Sequence, residues 1–197
     1  MQDLIKEMEA YANENNVPII QKESIVYIMK YIKEHNIKSI LEIGSAIGYS
    51  AILMASVKDD IKVTTIERDE TRYMECLKNI KKSGLDKKIT TVYQDALEVN
   101  LSGVSYDLIF IDAAKGQNIN FFEKYKNFLE KDGAIITDNI NFHGLVGNSE
   151  NIESKNLREL VSKIEKYIDY LKNSDEFNTE FLDIGDGLSV STRKEEN

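Results

Sequence analysis

The feature that most constrains this fold is a repeated switch of pattern along the middle of the chain. β-rich runs at 39–43 (SILEI), 62–67 (KVTTIE), 89–93 (ITTVY), 106–112 (YDLIFID) and 133–138 (GAIITD) alternate with longer stretches. Those stretches are YSAILMASV, DETRYMECLKNIKKSG, a short DALEV piece and QNINFFEKYKNFLE, each long enough for a crossover. Parallel strands need such crossovers, and strands buried on both faces read as nearly continuous apolar runs. The alternation therefore implies a parallel sheet with helices on both faces. Consecutive strands in such a sheet are usually neighbours, so groups at successive strand ends are expected to converge.

The two ends of the chain follow other rules. Residues 2–15 and 21–35 read as helices, the second with Ile25, Ile28, Met29 and Ile32 at helical spacing. The extended NVPII segment, which holds the only proline, Pro18, separates them. Residues 1–36 are thus expected to pack on the core as N-terminal helices. A long helix is expected from Glu153 to Asn173, and after it EFLDIGDGLSVSTRK forms a hairpin about a Gly-Asp-Gly turn. The result is a mostly parallel, seven-stranded α/β sheet with an antiparallel C-terminal hairpin. By fold analogy, that combination is associated with S-adenosylmethionine-dependent methyltransferases more than with dehydrogenases.

Composition narrows the class of protein. No Pro/Gly/Ser-rich seam or charge block divides the 197 residues, so 1–197 is read as a single domain. The polar start lacks the apolar core of a signal peptide, no run approaches a membrane span, and the single cysteine, Cys76, fits a reducing compartment. A cytoplasmic protein with no membrane partner is expected. Cys76 lies in a helical stretch and reads as a small core residue. A net charge of -9 argues against broad nucleic-acid binding. The segment from Arg68 to Lys88 nevertheless carries seven basic against four acidic residues, a local net of +3. That segment reads either as a solvated helix and turn or as a local basic face.

The candidate chemistry lies at strand ends. Gly44 and Gly48, in the turn after the first strand, let backbone approach a ligand at the carboxyl edge of the sheet, where open α/β sheets bind. Glu67 ends the second strand 23 residues after Gly44, close to the spacing at which an acid reaches a ribose diol. The third glycine of the dinucleotide pattern is missing, so a nucleoside without phosphates fits better. Asp95 and Ala96 follow the third strand, where Asp95 serves either an adenine edge or a helix N-cap. The fourth strand delivers Asp112 and then Lys115, and the fifth ends in Asp138-Asn139. Two carboxylates and an amide oxygen are hard ligands suited to Mg²⁺ or a similar ion. With only His35, His143 and Cys76 available, a Cys/His zinc site is excluded.

Taken together, LEIGSAIGYSA, TIERD, QDA, FIDAAKGQ, TDNI and IGDGLSVS resemble the metal-dependent O-methyltransferases that include the catechol and caffeoyl-coenzyme A enzymes. The resemblance covers nearly the whole chain and implies a Rossmann-like class I methyltransferase fold. It implies S-adenosylmethionine as methyl donor, with Glu42, Gly44, Ser45 and Ser50 at its methionine end, Glu67 on the ribose and Asp95 and Ala96 by the adenine. It further implies Mg²⁺ (or Mn²⁺) on Asp112, Asp138 and Asn139, with Asp112 shared between cofactor and metal, Lys115 as general base, and a homodimer. Within the family, EMEAYANENNVPII and IDAAKGQ are most similar to the bacterial enzymes that convert wobble 5-hydroxyuridine of tRNA to 5-methoxyuridine. The leading expectation is therefore methylation of the tRNA anticodon loop, followed by a small catechol-like or caffeoyl-coenzyme A-like acceptor, then a non-catalytic nucleotide- or tRNA-binding module. Relatives commonly carry a longer segment before the EMEAYA helix, so a truncated start is expected, and His143 stands where many of them have another polar or basic residue.

Overall fold

The computed structural model describes residues 1–147 and 152–195. Residues 148–151 and 196–197, which belong to the expected single domain, lie outside the described residues. Helices α1 (Gln2–Glu14) and α2 (Lys22–Glu34) precede β1 (Ser39–Ile43), α3 (Tyr49–Ala55), β2 (Lys62–Glu67), α4 (Glu70–Ser83) and β3 (Ile89–Tyr93). Then come β4 (Tyr106–Ile111), α5 (Asn118–Tyr125), β5 (Leu129–Asp138), α6 (Lys155–Lys172), β6 (Phe177–Leu182) and β7 (Leu188–Arg193). The seven strands form one sheet in the order β3-β2-β1-β4-β5-β7-β6. Pairing is parallel from β3 through β5 and antiparallel for β5–β7 and β6–β7, as the pattern predicts.

Two local expectations need correction. The DALEV piece is a single turn, with Glu98 and Val99 donating their N–H groups to the Asp95 carbonyl, and not a crossover helix. β5 begins at Leu129 and not at Gly133, and its register against β4 shifts between Tyr106 and Leu108. Gly133 sits at that irregularity, where a Cβ would stand 2.8 Å from the Asp107 carbonyl oxygen, a contact only glycine escapes.

The alternation of side chains along each strand divides the core into two layers. Ile40, Leu108, Phe110 and Ile136 face α1–α4, packing with Met8, Ile28, Ile32 and Ile52. Leu41, Ile43, Ile109, Ile111 and Ile135 face α5 and α6, packing with Phe122, Tyr125, Tyr167 and Leu171. Helix α6 buries Val161, Ile164, Tyr167 and Leu171, one stripe at helical spacing, and its N-cap Ser154 accepts from the Leu157 N–H. The N-terminal helix is tied across the molecule: Glu7 pairs with Lys82 at 3.1 Å, and the Tyr49 hydroxyl donates to Glu9 at 2.9 Å. Among the described residues no helix is long and apolar enough to cross a membrane.

The strand order matters for function. Instead of joining β3 beside β4, the chain crosses back so that β4 pairs with β1. The point where the order reverses lies between β1 and β4, which is where open sheets bind ligands.

Candidate active site

Turns leaving the parallel strands enclose a cavity of about 480 Å³, with Pro18–Gln21 from the α1–α2 link and Asp186 from the β6–β7 turn on its walls. Gly44, Ser45, Ser50, Glu67, Asp95, Ala96, Asp112, Lys115 and Asn139 all line it. Glu42 and Asp138 stand behind the lining.

On the β1–β3 side the backbone is built for close approach. Gly44 has φ +97°, and a Cβ there would lie 2.5 Å from the Asp112 carbonyl oxygen. Gly48 has φ +83° and lies so near Cys76 that a Cβ would meet Sγ at 2.8 Å. Cys76 is fully buried, which pushes its thiol up to about 12, so it acts as a core residue. Glu67 accepts three backbone N–H bonds, from Ala46 at 2.9 Å, Arg68 at 2.9 Å and Asp69 at 2.8 Å. These fix a carboxylate at the cavity wall without using all its lone pairs. Asp95 accepts from the Leu97 N–H at 2.9 Å and pairs with Arg68 at 3.0 Å. Both interactions hold its carboxyl below the usual range, the Leu97 bond more than the Arg68 bond. Asp95 thus caps a turn, not a helix. The Ala96 carbonyl takes the Tyr125 hydroxyl at 2.6 Å and the Lys124 ammonium at 2.8 Å.

Glu42 has no access to solvent, and the hydroxyls of Ser50 and Thr65 both donate to it. Burial pushes its carboxyl up to about 7, with those hydroxyls opposing the shift and the charges of Asp112 and Glu67 adding to it. Glu42 therefore reaches the cavity only through Ser50, whose hydroxyl it orients.

The β4–β5 side is built differently. Ile111 pairs with Thr137, so Asp112 and Asp138 follow at adjacent strand ends. Asp138 is 1% exposed; its Oδ1 accepts from the Asn139 N–H at 2.7 Å, while Oδ2 has no partner among the described residues. Burial first, and then the charge of Asp112, push Asp138 up to about 7. Lys115 Nζ lies 2.5 Å from Asp112 Oδ1. Asn139 adopts φ +63° and donates through Nδ2 to Asp186 Oδ2 at 3.2 Å. Asp186 also accepts from the His143 N–H at 2.5 Å, with the exposed imidazole Nδ1 3.4 Å from its other oxygen.

Among the described residues no three His, Cys, Asp or Glu side chains are grouped to hold a metal ion. The expected set of Asp112, Asp138 and Asn139 has two carboxylates, and an amide oxygen would have to be the third donor. The chemistry fits a hard cation all the same. An orphaned, buried carboxylate oxygen beside a second carboxylate lacks positive charge, and Lys115 supplies it on one side only.

Sequence reasoning missed Asp186, though it sits between two glycines in IGDGLSVS, a motif whose hairpin reading hid the acid. Of the two readings of 68–88, a solvated helix and turn or a local basic face, the second loses most of its charge to partners within the protein. Lys88 donates to the carbonyls of Ala55 and Lys58, Lys82 pairs with Glu7, Lys78 with Glu75 and Arg68 with Asp95. Lys88 is thus a structural lysine and not a surface contact. Lys81, Lys87 and Arg72 make no ion pair among the described residues.

This sheet order and cavity are those of the class I methyltransferases, and comparison with known proteins gives the family. Residues 1–194 match the model of the O-methyltransferase family, and the chain belongs to it: it is an S-adenosylmethionine-dependent O-methyltransferase. A crystal structure of a Staphylococcus aureus protein provisionally designated a caffeoyl-CoA O-methyltransferase is similar at TM-score 0.93 and 40% identity, covering 96% of this chain and 92% of that one. A caffeoyl-CoA O-methyltransferase from Stellaria longipes is 28% identical, over 85% of this chain and 71% of its own length. An O-methyltransferase from Bacillus cereus, solved in complex with SAH, shares the fold at TM-score 0.85 and 22% identity, covering 98% of this chain and 91% of that one.

Proposed function

We propose that the protein methylates one hydroxyl of a small acceptor with two adjacent oxygens, catechol-like or caffeoyl-coenzyme A-like, using Mg²⁺ (or Mn²⁺) on Asp112, Asp138 and Asn139. The observation that carries this reading is the buried Oδ2 of Asp138, without a partner among the described residues, just behind the Asp112 and Asn139 that line the cavity. In this reading Glu67 holds the ribose diol of S-adenosylmethionine, Asp95 and Ala96 border the adenine, and Gly44, Ser45 and Ser50 border the methionine end, with Glu42 behind Ser50. When bound, the ion lowers the pKa of the acceptor hydroxyl and orients the oxygen pair. Lys115, held as an ammonium against Asp112, is the candidate general base: it would accept the hydroxyl proton only after releasing its own, which a cation taking over the charge of Asp112 would favour. Pro18–Gln21, Phe142 and His143 wall the acceptor side and exclude water.

The caffeoyl-CoA names of the relatives, together with the internal pairing of Lys82, Lys88 and Arg68, support a small acceptor. A second reading, 5-hydroxyuridine at the wobble position of tRNA, is favoured by the unpaired cations of Lys81, Lys87 and Arg72. Both acceptors offer the oxygen pair. Methylation assays with a catechol, caffeoyl-coenzyme A and tRNA containing 5-hydroxyuridine separate them: turnover of tRNA alone would overturn the small-acceptor reading. Turnover undiminished by EDTA would overturn the metal. A cytosolic homodimer belongs to the same proposal, and light scattering of the purified protein tests the dimer.

A further inference from the structure

Asp186 is an acid that neither the nucleoside side nor the expected metal set uses, yet it is 5% exposed and lines the same cavity. It arrives on the β6–β7 turn, far along the chain from β5, and that turn is fastened to the segment after β5. Ile140 and Asn141 donate their N–H groups to the carbonyls of Gly187 and Asp186 at 3.1 and 2.9 Å. Gly187 has φ +84°, and a Cβ on it would lie 2.8 Å from the Asn141 backbone nitrogen, so the two turns touch backbone to backbone. Both carboxylate oxygens of Asp186 are engaged: Oδ2 receives the Asn139 amide at 3.2 Å and Oδ1 the His143 N–H at 2.5 Å. A side chain occupied in this way acts through its partners.

We infer that Asp186 is the positioning residue of the site: it sets which end of the Asn139 amide faces the metal and fastens the Phe142–His143 turn over the acceptor side. The physical reason is polarity. An amide presents a donor at one end and an acceptor at the other, whereas a carboxylate only accepts. Asp186 therefore claims Nδ2, and Oδ1 of Asn139 is left as a hard donor for the cation. Asn139, Phe142 and His143 all adopt positive φ, at +63°, +43° and +58°, a run of unfavourable backbone that needs outside support. The His143 N–H bond to Asp186 supplies part of it.

The inference rests on the metal reading above, and the test keeps the two apart. Mg²⁺ binding to the full-length protein is measured by calorimetry without acceptor, for wild type, Asp186→Asn, Asn139→Asp and the double exchange. An asparagine at 186 can pair with either end of Asn139, so Asp186→Asn is expected to lose about tenfold in Mg²⁺ affinity. Asn139→Asp adds a carboxylate to the site and leaves no amide for Asp186 to orient, so it serves as the reference arm for the double exchange. The double exchange restores one donor and one acceptor, and should recover most of the affinity, which a merely structural role for Asp186 would not produce. Hydrogen exchange of the His143 amide should accelerate in Asp186→Ala. Wild-type affinity in Asp186→Asn, or no recovery in the double exchange, would overturn the inference alone. Absence of Mg²⁺ binding in the wild type would overturn the metal reading and this inference with it.

Discussion

Glu67 and Asp138 are both acids at strand ends, 8% and 1% exposed, one in the cavity lining and the other just behind it, and the protein treats them in opposite ways. Glu67 receives three backbone N–H bonds, each at 2.8–2.9 Å, so its charge is solvated by the fold before a ligand arrives. Asp138 receives one, keeps an oxygen without a partner among the described residues, and faces the charge of Asp112. A nucleoside brings hydroxyls, which a pre-solvated carboxylate can accept without rearrangement. A divalent cation brings charge, and only an under-compensated pair of acids gains from it. The contrast teaches that the two halves store different things: the β1–β3 side stores geometry and the β4–β5 side stores electrostatic strain.

The sharpest way to break the comparison is Asp138→Asn. Removing a metal carboxylate costs several kcal/mol of charge stabilisation, so kcat/KM should fall on the order of a thousandfold. Metal-free thermal stability should rise at the same time above pH 7, where the buried charge is otherwise unmatched. The paired readings, initial rates and melting temperature, must move in opposite directions. A variant that loses both activity and stability would show that Asp138 is part of the framework.

Glu42 tests whether the β1–β3 side is as relaxed as Glu67 makes it look. Its carboxyl is raised from an ordinary 4.5 to about 7 by burial. Between those values the folded protein holds a proton that the unfolded chain has released, so metal-free stability is full below the lower value and falls as pH rises towards 7. The slope is at most about 1.4 kcal/mol per pH unit for each such proton. Asp138 adds a second contribution of the same sign, from 3.8 to about 7. Glu42→Gln keeps the shape and an acceptor for Ser50 or Thr65, and should flatten the melting-temperature profile without abolishing the slope left by Asp138. An unchanged profile would mean that Glu42 is ionised in the folded protein.

A smaller effect is expected at Glu67. Glu67→Gln retains one acceptor oxygen but gives up charge-assisted bonds, a loss of about 1–2 kcal/mol, or roughly tenfold in S-adenosylmethionine affinity by calorimetry. Mg²⁺ affinity should stay within about twofold, since the acids proposed to hold it lie on the other side. If metal and cofactor affinities fall together, the two halves are coupled and the comparison fails.

Much of this architecture was legible in the chain because a few signals are local. The run SILEI followed by Gly44 and Gly48, and the acid at the end of KVTTIE, fix a strand, a turn and a partner by spacing alone. The hairpin about Gly185 and Gly187 was equally plain. What escaped depends on long-range placement. That Asp186 meets Asn139 follows from β7 pairing with β5, which no local pattern announces. That Glu42 sits behind Ser50 follows from the pleat of β1, and that Lys88 spends its ammonium on Ala55 and Lys58 follows from how the start of β3 meets the end of α3. A count of charges along 68–88 could not see which lysines were already engaged.

The smallest effect concerns those that are not engaged. Lys81 and Lys87 are exposed and unpaired among the described residues, on a surface apart from the cavity lining. Surface charges beyond about 8–10 Å are largely screened at physiological salt, so a small uncharged catechol should not sense them. Lys81→Glu with Lys87→Glu should change catechol methylation by less than about twofold, and stability by a few tenths of a kcal/mol at most. Phosphates behave otherwise. A lysine that contacts a nucleic-acid backbone releases a counterion, and losing it lowers both affinity and the slope of affinity against salt. The double variant should therefore be assayed on a catechol and on tRNA containing 5-hydroxyuridine at two salt concentrations. A loss confined to tRNA, shrinking as salt rises, would move the acceptor assignment to RNA. Equal, near-unchanged rates on the catechol with no tRNA turnover by either protein would leave the small acceptor in place, because, of the remaining cations, Lys78, Lys82, Lys88 and Arg68 are held by Glu75, by Glu7, by the Ala55 and Lys58 carbonyls and by Asp95, and Arg72 lines the cavity.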